Sequence, residues 1–293
     1  MEYILNPWAE FEDQADTSIP TATLQIYDYI DEYLKRNEET YIHRASAATL
    51  CFKQRWYKGR NTLGTPLTPR KMVNFLLGDL SEKTILYFVK NACVGSGKLY
   101  SEVDFGKVIG SFTFQGKLIE IYEQETLHMP MGKLDITAHV DGWGKRNLDG
   151  KWELIECKSA ANWGFNDFKE VGAKDYLKQA HVCMATYKAK ALGVDQVRYF
   201  YLRKETGHLW DRVFDFDQNL LDTVIHEYEL ADSEKEPVAP YLLIDETMRG
   251  KPTGRKIAGF PCSYCAYLRH CKGAYIKDWK KDQFQNMKPI FVF

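Results

Sequence analysis

The residues with the clearest capacity for chemistry lie in one short apolar segment near the middle of the chain. In the run Trp-Glu-Leu-Ile-Glu-Cys-Lys-Ser, which starts at position 152, Glu156 and Lys158 are two residues apart. Alternate residues of a β-strand point to the same face, so these two side chains share a face while Cys157 points into the opposite core. A carboxylate and an ammonium at the end of an apolar strand are costly unless both have partners. The segment is therefore a candidate reaction centre.

A second carboxylate is predicted to join this pair. Asp141 lies fifteen residues before Glu156, and the polar stretch 145–151 between them contains an Asp-Gly step that favours a β-hairpin turn. The hairpin would place Asp141 beside Glu156 on the neighbouring strand. Two carboxylates next to a lysine form a hard-oxygen site for Mg²⁺ or Mn²⁺, which could polarise a phosphate and activate water. Lys158 would orient or deprotonate that water, or stabilise developing negative charge.

Two alternatives remain open for these residues. Asp135 shares the face of Asp141 if the strand is regular, and it is the fallback for the first metal acid. We prefer Asp141 because it lies closer to Glu156 across the predicted hairpin. A salt-bridged surface hairpin without any metal would explain the same residues structurally.

Four of the seven cysteines form a second constellation. Two residues separate Cys262 from Cys265 and five separate Cys265 from Cys271, which is metal-ligand spacing, and a tetrahedral site needs a fourth ligand. Cys51, more than two hundred residues earlier, is the candidate, so a metal would link two distant parts of the chain. His270 is a further possible ligand, and Zn²⁺ in a four-cysteine site is one reading of the set. The remaining cysteines, Cys93, Cys157 and Cys183, are predicted to be buried core thiols.

Asp141 followed by Glu156-Cys157-Lys158 resembles the signature of the PD-(D/E)xK nuclease superfamily. The RecB-like branch of that superfamily has a Gly-x-x-x-His helix that supplies a further metal ligand. Glu82, four residues after Gly78, fits that place with an acid instead of the histidine. Glu82 also lies within a predicted apolar stripe of helix 71–91, where an acid is costly unless it binds something.

The RecB-like branch also carries a Tyr-x-x-Gln element on the helix after the catalytic lysine, and Tyr176 and Gln179 match it. Its implied role is to position DNA or the catalytic residues. The resemblance further implies that the carbonyl of Cys157 completes the metal site formed by Glu82, Asp141 and Glu156.

RecB-like iron–sulfur nucleases provide the second half of the resemblance. They include CRISPR-associated exonucleases, the AddB nuclease domain and many phage homologues, and in them one N-terminal cysteine joins three C-terminal cysteines around a [4Fe–4S] cluster. Here Cys51 and the three C-terminal cysteines bracket the nuclease-like segment in the same order. The resemblance favours the iron–sulfur cluster over Zn²⁺, and it implies an α/β fold with a restriction-endonuclease-like central mixed β-sheet flanked by helices. It also implies an N- and C-terminal helical iron–sulfur subdomain.

The expected organisation follows from the same resemblance. Residues 1–70 would form an N-terminal helical region that contributes Cys51, residues 71–230 the nuclease core, and residues 231–293 a linker and the cysteine-cluster region. The implied function is a metal-dependent DNA exonuclease in recombination, replication or end processing, acting on single-stranded DNA or DNA with a free end. A recombination, replication or CRISPR-adaptation protein is the expected partner.

An alternative function keeps the same fold and a structural metal cluster. In this interpretation the chain is a catalytically weak or inactive DNA-binding or assembly module, and the departure from histidine at Glu82 leaves this open. Basic and aromatic residues interleave around positions 53–60 and 264–281, where they could bind phosphates and unpaired bases. Arg44, Arg55 and Lys169 are the individual candidates for DNA contacts.

The composition restricts the other classes of protein. With 293 residues, 45% hydrophobic and 27% charged, the chain is expected to form one elaborated globular domain, or one domain with a small satellite. Its formal net charge of −1 gives no global nucleic-acid signal, so a DNA surface would be a local patch. The sequence has no run of 18 apolar residues and no secretory signature, so we expect no membrane span and a cytoplasmic location, or the host cytoplasm for a phage-encoded chain.

Hydrophobic periodicity and turn residues predict the elements that would position these sites. The predicted helices are 21–36, 47–58, 71–91, 174–192 and 220–230. The predicted strands are 108–114, 117–122, 135–141, 152–158, 197–202 and 210–216. Residues 231–260 are predicted to be a linker or meander because they are rich in Pro, Gly and charge.

Overall fold

In the computed structural model the chain divides into two compact units. The central unit comprises Ile42–Thr49 and Val73–Tyr228, and the terminal unit comprises Met1–Tyr41, Leu50–Met72 and Glu229–Phe293. The structure describes residues 25, 29, 43–62, 64, 69–172, 174–238, 243–248, 251–258, 262, 265–267, 270–271, 275–281 and 287–292. The helix predicted at 21–36 lies outside these residues, apart from Gln25 and Tyr29, which are helical.

The helices, in chain order, are a 3₁₀ helix at Ala45–Thr49, α1 (Phe52–Gly59), α2 (Pro69–Cys93), α3 (Asn162–Val171), α4 (Lys174–Met184), α5 (Tyr187–Leu192) and α6 (Gln218–Asp232). The strands are β1 (Tyr100–Asp104), β2 (Val108–Phe114), β3 (Lys117–Tyr122), β4 (Glu125–Met131), β5 (Leu134–Val140), β6 (Gly142–Arg146), β7 (Trp152–Ala160), β8 (Gln196–Arg203), β9 (Leu209–Asp215), β10 (Leu243–Met248), β11 (Lys251–Ala258), β12 (Tyr275–Lys281) and β13 (Met287–Val292).

A five-stranded sheet with the order β1-β6-β7-β8-β9 forms the centre of the central unit. Its strands pair antiparallel except for β7 and β8, which run parallel. A parallel pair needs a crossover connection, and α3, α4 and α5 provide it. The predicted mixed α/β fold with a central mixed sheet flanked by helices is therefore confirmed.

The two faces of this sheet bury different sets of side chains because successive residues of β7 and β8 alternate. Leu154 and Tyr199 lie on one face, in a core that includes Ala180 of α4 and Val224 of α6. Ile155 and Cys157 lie on the other face, in a core with three residues of α2. Those three residues are Ile85, Leu86 and Val89. Phe75, nearer the start of α2, has an exposed side chain.

Two antiparallel hairpins, β2 with β3 and β4 with β5, lie before β6 in the chain. The strands predicted at 108–114 and 117–122 coincide with β2 and β3. The strand predicted at 135–141 is β5, which ends one residue earlier, at Val140. The chain then leaves β4 as its pairing partner and joins the central sheet as β6. Asp141 therefore occupies the single residue between β5 and β6.

Two predicted helices are interrupted in the structure. The helix predicted at 47–58 consists of the 3₁₀ helix and α1, and Cys51 precedes α1 in an extended conformation (φ −54°, ψ 134°). The helix predicted at 174–192 divides into α4 and α5. The hydroxyl of Thr186 accepts a hydrogen bond from the Ala189 N–H, so Thr186 caps a new helix instead of continuing the old one.

The terminal unit contains α1 and a four-stranded antiparallel sheet with the order β10-β11-β13-β12. The linker predicted at 231–260 contains the hairpin of β10 and β11, so the alternative of a meander is the better description. Residues 243–248, 251–258, 275–281 and 287–292 form strands, so the expectation of a helical C-terminal subdomain is wrong for these residues. No helix among the described residues is long and apolar enough to cross a membrane.

Candidate active site

Asp141 lies directly beside Glu156, as the hairpin predicted. In the antiparallel pair of β6 and β7, Gly142 lies opposite Ile155. Asp141, the residue before Gly142, is therefore brought next to Glu156, the residue after Ile155. The buried Asp141 carboxylate accepts hydrogen bonds at both oxygens. Its Oδ2 accepts from the Cys157 backbone N–H (2.7 Å), and its Oδ1 accepts from Nε2 of Gln124 (2.6 Å).

Glu156 and Lys158 share the face of β7 that the alternation predicted. The Lys158 Nζ donates to Glu156 Oε2 over 2.8 Å, and the Glu156 side chain is 1% exposed. The other oxygen, Oε1, is buried and has no hydrogen-bond partner. A buried carboxylate oxygen without a partner is costly, so this position favours binding of a cation.

A second buried acid on β7 provides a contrast. Glu153 accepts hydrogen bonds from Tyr100 Oη (2.6 Å), from Arg198 Nε (2.7 Å) and from Gln196 Nε2. Both of its carboxylate oxygens therefore have partners within the protein, as a structural buried acid requires. Glu156, three residues later on the same strand, has a hydrogen-bond donor at only one of its two carboxylate oxygens.

Glu82 and Gln124 complete the carboxylate group. Glu82 comes from α2, where its Oε1 accepts from Lys83 Nζ (2.6 Å) and its Oε2 from Gln124 Nε2 (3.3 Å). The Gln124 amide therefore donates to both Glu82 and Asp141. Sequence reasoning missed Gln124, which lies in the two-residue connection between β3 and β4 and carries no local signal.

Burial and mutual repulsion alter the acidity of these groups. Burial, with smaller contributions from Asp141 and Glu82, raises the pKa of Glu156 to about 7, although Lys158 opposes the change. Burial and the nearby Asp141 also raise the pKa of Glu82 to about 7. Burial disfavours the Lys158 ammonium, but Glu156 and Asp141 outweigh it and raise the pKa of this lysine above its usual range. Lys158 is therefore a cation at neutral pH, which suits charge stabilisation better than proton abstraction.

Tyr176 is also brought to the site. The Nζ of Lys158 lies 5.5 Å from the centroid of the Tyr176 ring, within the range of a cation–π contact. The Tyr199 hydroxyl donates to the Tyr176 carbonyl over 2.8 Å and fixes this turn of α4. Gln179 is half-buried one turn further along α4.

Asp135 lies elsewhere. Its exposed carboxylate is 2.7 Å from His128 Nδ1 on the partner strand of the β4–β5 hairpin. Asp141, and not Asp135, is the aspartate that contacts the β7 backbone next to Glu156. Which of the two aspartates binds a metal stays a prediction.

The carboxylate group suits a hard divalent cation by its chemistry. Asp141, Glu156 and Glu82 supply oxygen donors, one buried oxygen has no partner, and two of the carboxyls resist ionisation without a counter-charge. Among the described residues, no group of three or more His, Cys, Asp or Glu side chains is arranged to hold a metal ion. Mg²⁺ does not require such a group, because one or two carboxylates, waters and substrate phosphates usually hold it.

The four cysteines lie near one another in the terminal unit. Burial, with smaller contributions from Cys271, Cys51 and Cys262, raises the pKa of Cys265 to about 11. All four thiols are free and half-buried. Thiolates suit a soft metal or an iron–sulfur cluster by their chemistry, but the four cysteines, all among the described residues, are not arranged to hold a metal in this structure. Of the predicted core thiols, Cys157 and Cys183 are buried, whereas Cys93 is only half-buried.

Long-range contacts hold the cysteine segments together. Tyr57 of α1 stacks on Tyr267 with ring centroids 5.7 Å apart, and its hydroxyl donates to Glu236 Oε1 (2.8 Å) and to the His270 carbonyl. Lys53 Nζ lies 2.9 Å from the same Glu236 oxygen. The segment after Cys51 is thus fixed against the segment of Cys265 and Cys271.

Of the residues predicted to contact DNA, Arg55 is fully buried, so that prediction is wrong. The face of α1 that was expected to bind phosphate is buried with Lys53 and Tyr57. Arg44 is half-buried, and Lys169 is exposed at the last turn of α3.

The chain is similar to several solved structures. It is 12% identical to the protein in the crystal structure of SSO0001, with a TM-score of 0.46, covering 86% of this chain and 97% of that one. It is 14% identical to an alkaline exonuclease (LHK-Exo) from Laribacter hongkongensis, with a TM-score of 0.41, covering 69% and 90% of the two chains. For the complex of LHK-Exo with dAMP the identity is 15%, the TM-score 0.31 and the coverage 76% and 84%. No protein-family model and no curated protein matches this chain.

Proposed function

We propose that this chain is a divalent-metal-dependent deoxyribonuclease of the PD-(D/E)xK type, an exonuclease that hydrolyses phosphodiester bonds of single-stranded DNA or DNA ends. The observation that carries the proposal is the unpartnered, buried Oε1 of Glu156, which lies beside Asp141 and Lys158. Most buried polar groups have partners, as Glu153 does, and a carboxylate oxygen without one beside a second buried acid supports binding of a cation there.

In this proposal Asp141 and Glu156 hold Mg²⁺ or Mn²⁺, with Glu82 and the carbonyl of Cys157 as further ligands. The ion would supply Lewis-acid chemistry, by neutralising charge on the phosphate and making water more acidic. The hydrogen bonds to Asp141 from Cys157 and Gln124 orient its carboxylate before the ion arrives. Such outer contacts fix ligand geometry.

Lys158 would act as an ammonium. Its raised pKa keeps it protonated at neutral pH, so it can donate to the attacking water or to a phosphate oxygen as negative charge develops. Tyr176 covers the ammonium from α4, and Gln179 would support the same helix face. Together these residues position the lysine without supplying a base.

For the terminal unit we propose a [4Fe–4S] cluster held by Cys51, Cys262, Cys265 and Cys271, with Zn²⁺ as the alternative. The mutual effect of the four thiols on the acidity of Cys265 supports a shared site. The cluster would link two chain segments that are distant in sequence and stabilise the folded unit. Recombination, replication or end processing in the cytoplasm remain the proposed setting, with a protein from one of these systems or from CRISPR adaptation as partner.

A cleavage assay tests the enzymatic proposal. Protein purified without oxygen is incubated with labelled single- and double-stranded DNA in Mn²⁺, Mg²⁺ or EDTA. We expect cleavage that requires metal and falls at least about 100-fold in Glu156→Gln and in Lys158→Met. Asp135→Asn is the matched control, because it neutralises an exposed acid outside the site, and it should retain full activity.

Two results would contradict the proposal. Equal cleavage by the wild type and the Glu156→Gln variant would assign the activity to a contaminant or to another site. Absence of cleavage by folded, metal-loaded protein on every substrate would favour the DNA-binding or assembly module instead.

A further inference from the structure

A row of side chains crosses the central sheet from the candidate active site to its edge. Lys158 on β7 pairs in register with Tyr201 on β8, and Tyr201 pairs with Trp210 on β9. Residues in register on neighbouring strands point to the same face, so the three side chains lie side by side. Adjacent strands are about 4.8 Å apart, which places the Trp210 backbone about 10 Å from that of Lys158.

The inner part of this row is rigid. Tyr201 is buried, stacks on Phe168 of α3 with ring centroids 4.1 Å apart, and lies near Tyr176; burial and this neighbour raise the pKa of Tyr201. Tyr176 in turn lies over the Lys158 ammonium. The middle of the row is therefore packed under α3, and its Trp210 end is the exposed part.

The outer end of the row is open to solvent and basic. Trp210 is 43% exposed on the edge strand β9, and the Lys169 Nζ lies 4.5 Å from the centroid of its indole ring. Arg212, two residues along β9 on the same face, lies near the end of α3, next to Gly172. Within the described part of the chain neither Lys169 nor Arg212 forms an ion pair. Among the described residues, the Trp210 ring makes no aromatic contact, and its cation–π contact is with this lysine.

We propose that Trp210 is a stacking subsite for one unpaired base of single-stranded DNA, with Lys169 and Arg212 neutralising the phosphates on either side. Base stacking on an aromatic ring, combined with a basic backbone track, is how proteins hold single strands without reading their sequence. The inference rests on the proposed function, because it takes the Lys158 end of the row as the place of hydrolysis. At about 3.4 Å per stacked nucleotide, the subsite would hold a base within about three nucleotides of the cleaved bond.

This subsite selects for single strands by geometry. In a duplex the bases are already paired and stacked on one another, and their flat faces cannot reach a ring on the protein surface without unstacking. A single strand presents its faces freely. The exposed Trp210 on the edge strand β9 is the part of the row that such a strand could reach from solvent.

Binding measured in EDTA, where cleavage is absent, tests the subsite. Fluorescence anisotropy gives the Kd of a labelled single strand, of the same strand with abasic sites, and of the duplex. We expect Trp210→Ala to weaken binding of the intact single strand at least about fivefold, and Trp210→Phe to retain most of the affinity because a phenyl ring also stacks. The abasic strand should bind the wild type and Trp210→Ala equally. Lys169→Gln should reduce the slope of log K against log salt by about 0.7.

Tyr187→Ala is the matched control, because Tyr187 is 72% exposed on α5 and lies outside the row. It should bind every substrate as the wild type does. A Trp210→Ala variant that binds the single strand like the wild type overturns the subsite, as does one that weakens the duplex equally. Thermal unfolding of each variant separates lost binding from lost folding.

Cleavage by the same proteins in Mn²⁺ keeps the two proposals distinguishable. If binding depends on Trp210 but no metal supports cleavage, the subsite stands and the proposed hydrolysis fails. If cleavage depends on Lys158 while Trp210→Ala binds and cleaves normally, the nuclease stands and the subsite fails.

Discussion

Replacing Glu82 with Gln should make the metal-free protein more stable at alkaline pH. In the structure the Glu82 carboxyl is largely buried close to Asp141, and this environment raises its pKa from 4.5 to about 7. Ionising it therefore costs more in the folded than in the unfolded chain. Gln fills the same space, its single amide oxygen can accept from one of the two donors, Lys83 or Gln124, and it carries no charge.

The size and sign of this effect follow from linkage. The difference between 4.5 and about 7 corresponds to about 3 kcal/mol, at about 1.36 kcal/mol per pKa unit. The folded state holds the proton more tightly, so this destabilisation is absent below pH 4.5. It grows as pH rises to about 7 and is constant above that. The free energy of unfolding of Glu82→Gln, relative to the wild type, should therefore increase by about 3 kcal/mol between pH 4.5 and pH 8.

Urea unfolding in EDTA, followed by circular dichroism at several pH values, measures this difference. Glu120→Gln is the matched control. Hydrogen bonds to Lys90 and Tyr122 lower the pKa of Glu120, so its contribution is lost only as pH falls below its unfolded value. The difference between Glu120→Gln and the wild type should stay constant from pH 5.5 to pH 8, because both folded and unfolded Glu120 are ionised there.

A constant difference between the wild type and Glu82→Gln across pH 4.5 to pH 8 would refute the reasoning, because the Glu82 carboxyl would then be no harder to ionise than in water. Mn²⁺ at pH 8 adds an independent check. It should stabilise the wild type more than the variant, since a ligand that binds only the folded state raises its stability. Equal stabilisation of both proteins would indicate that Glu82 is not a ligand of the metal.

Two further predictions concern the metals. The affinity for Mn²⁺ should rise with pH up to about 7 and then level off, because Glu82 and Glu156 must lose protons to bind the ion. Calorimetry in two buffers measures the protons released on binding, and Glu156→Gln should release fewer than the wild type. An affinity that does not change with pH would contradict this. Cys265→Ser should lower the iron content and visible absorbance of protein purified without oxygen, whereas Cys93→Ser, outside the four-cysteine group, should leave both unchanged. Equal iron in both variants would exclude Cys265 as a ligand.

The parts of the site that depend on local pattern could be predicted from the sequence. A short polar connection fixes the register of β6 with β7, and strand alternation fixes the shared face of Glu156 and Lys158. Both rules act over fewer than twenty residues. Gln124 could not be found in this way, because its position depends on how the β2–β3 and β4–β5 hairpins follow one another. Nothing in its neighbours distinguishes it from an ordinary loop amide.

The errors arise where distant segments decide the outcome. The basic and aromatic face of α1 was interpreted as a surface for DNA, yet Lys53 pairs with Glu236 and Tyr57 stacks on Tyr267. Those partners are about two hundred residues away, and local charge patterning does not reveal them. The interruption before α5 did have a local signal, since Thr186 is a favourable N-cap within an otherwise helical stretch.

The two buried glutamates of β7 differ in how far the surrounding protein compensates their negative charge. Glu153 is surrounded by donors from Tyr100, Gln196 and Arg198, so its charge is compensated by the fold itself. Glu156 has one ammonium and one unpartnered oxygen, with Asp141 and Glu82 close enough to raise its pKa. A fold that compensates one buried acid fully and leaves the next with excess negative charge gains stability when a proton or a metal cation binds there. The proposed metal site thus follows from the charge balance of β7 independently of any sequence signature.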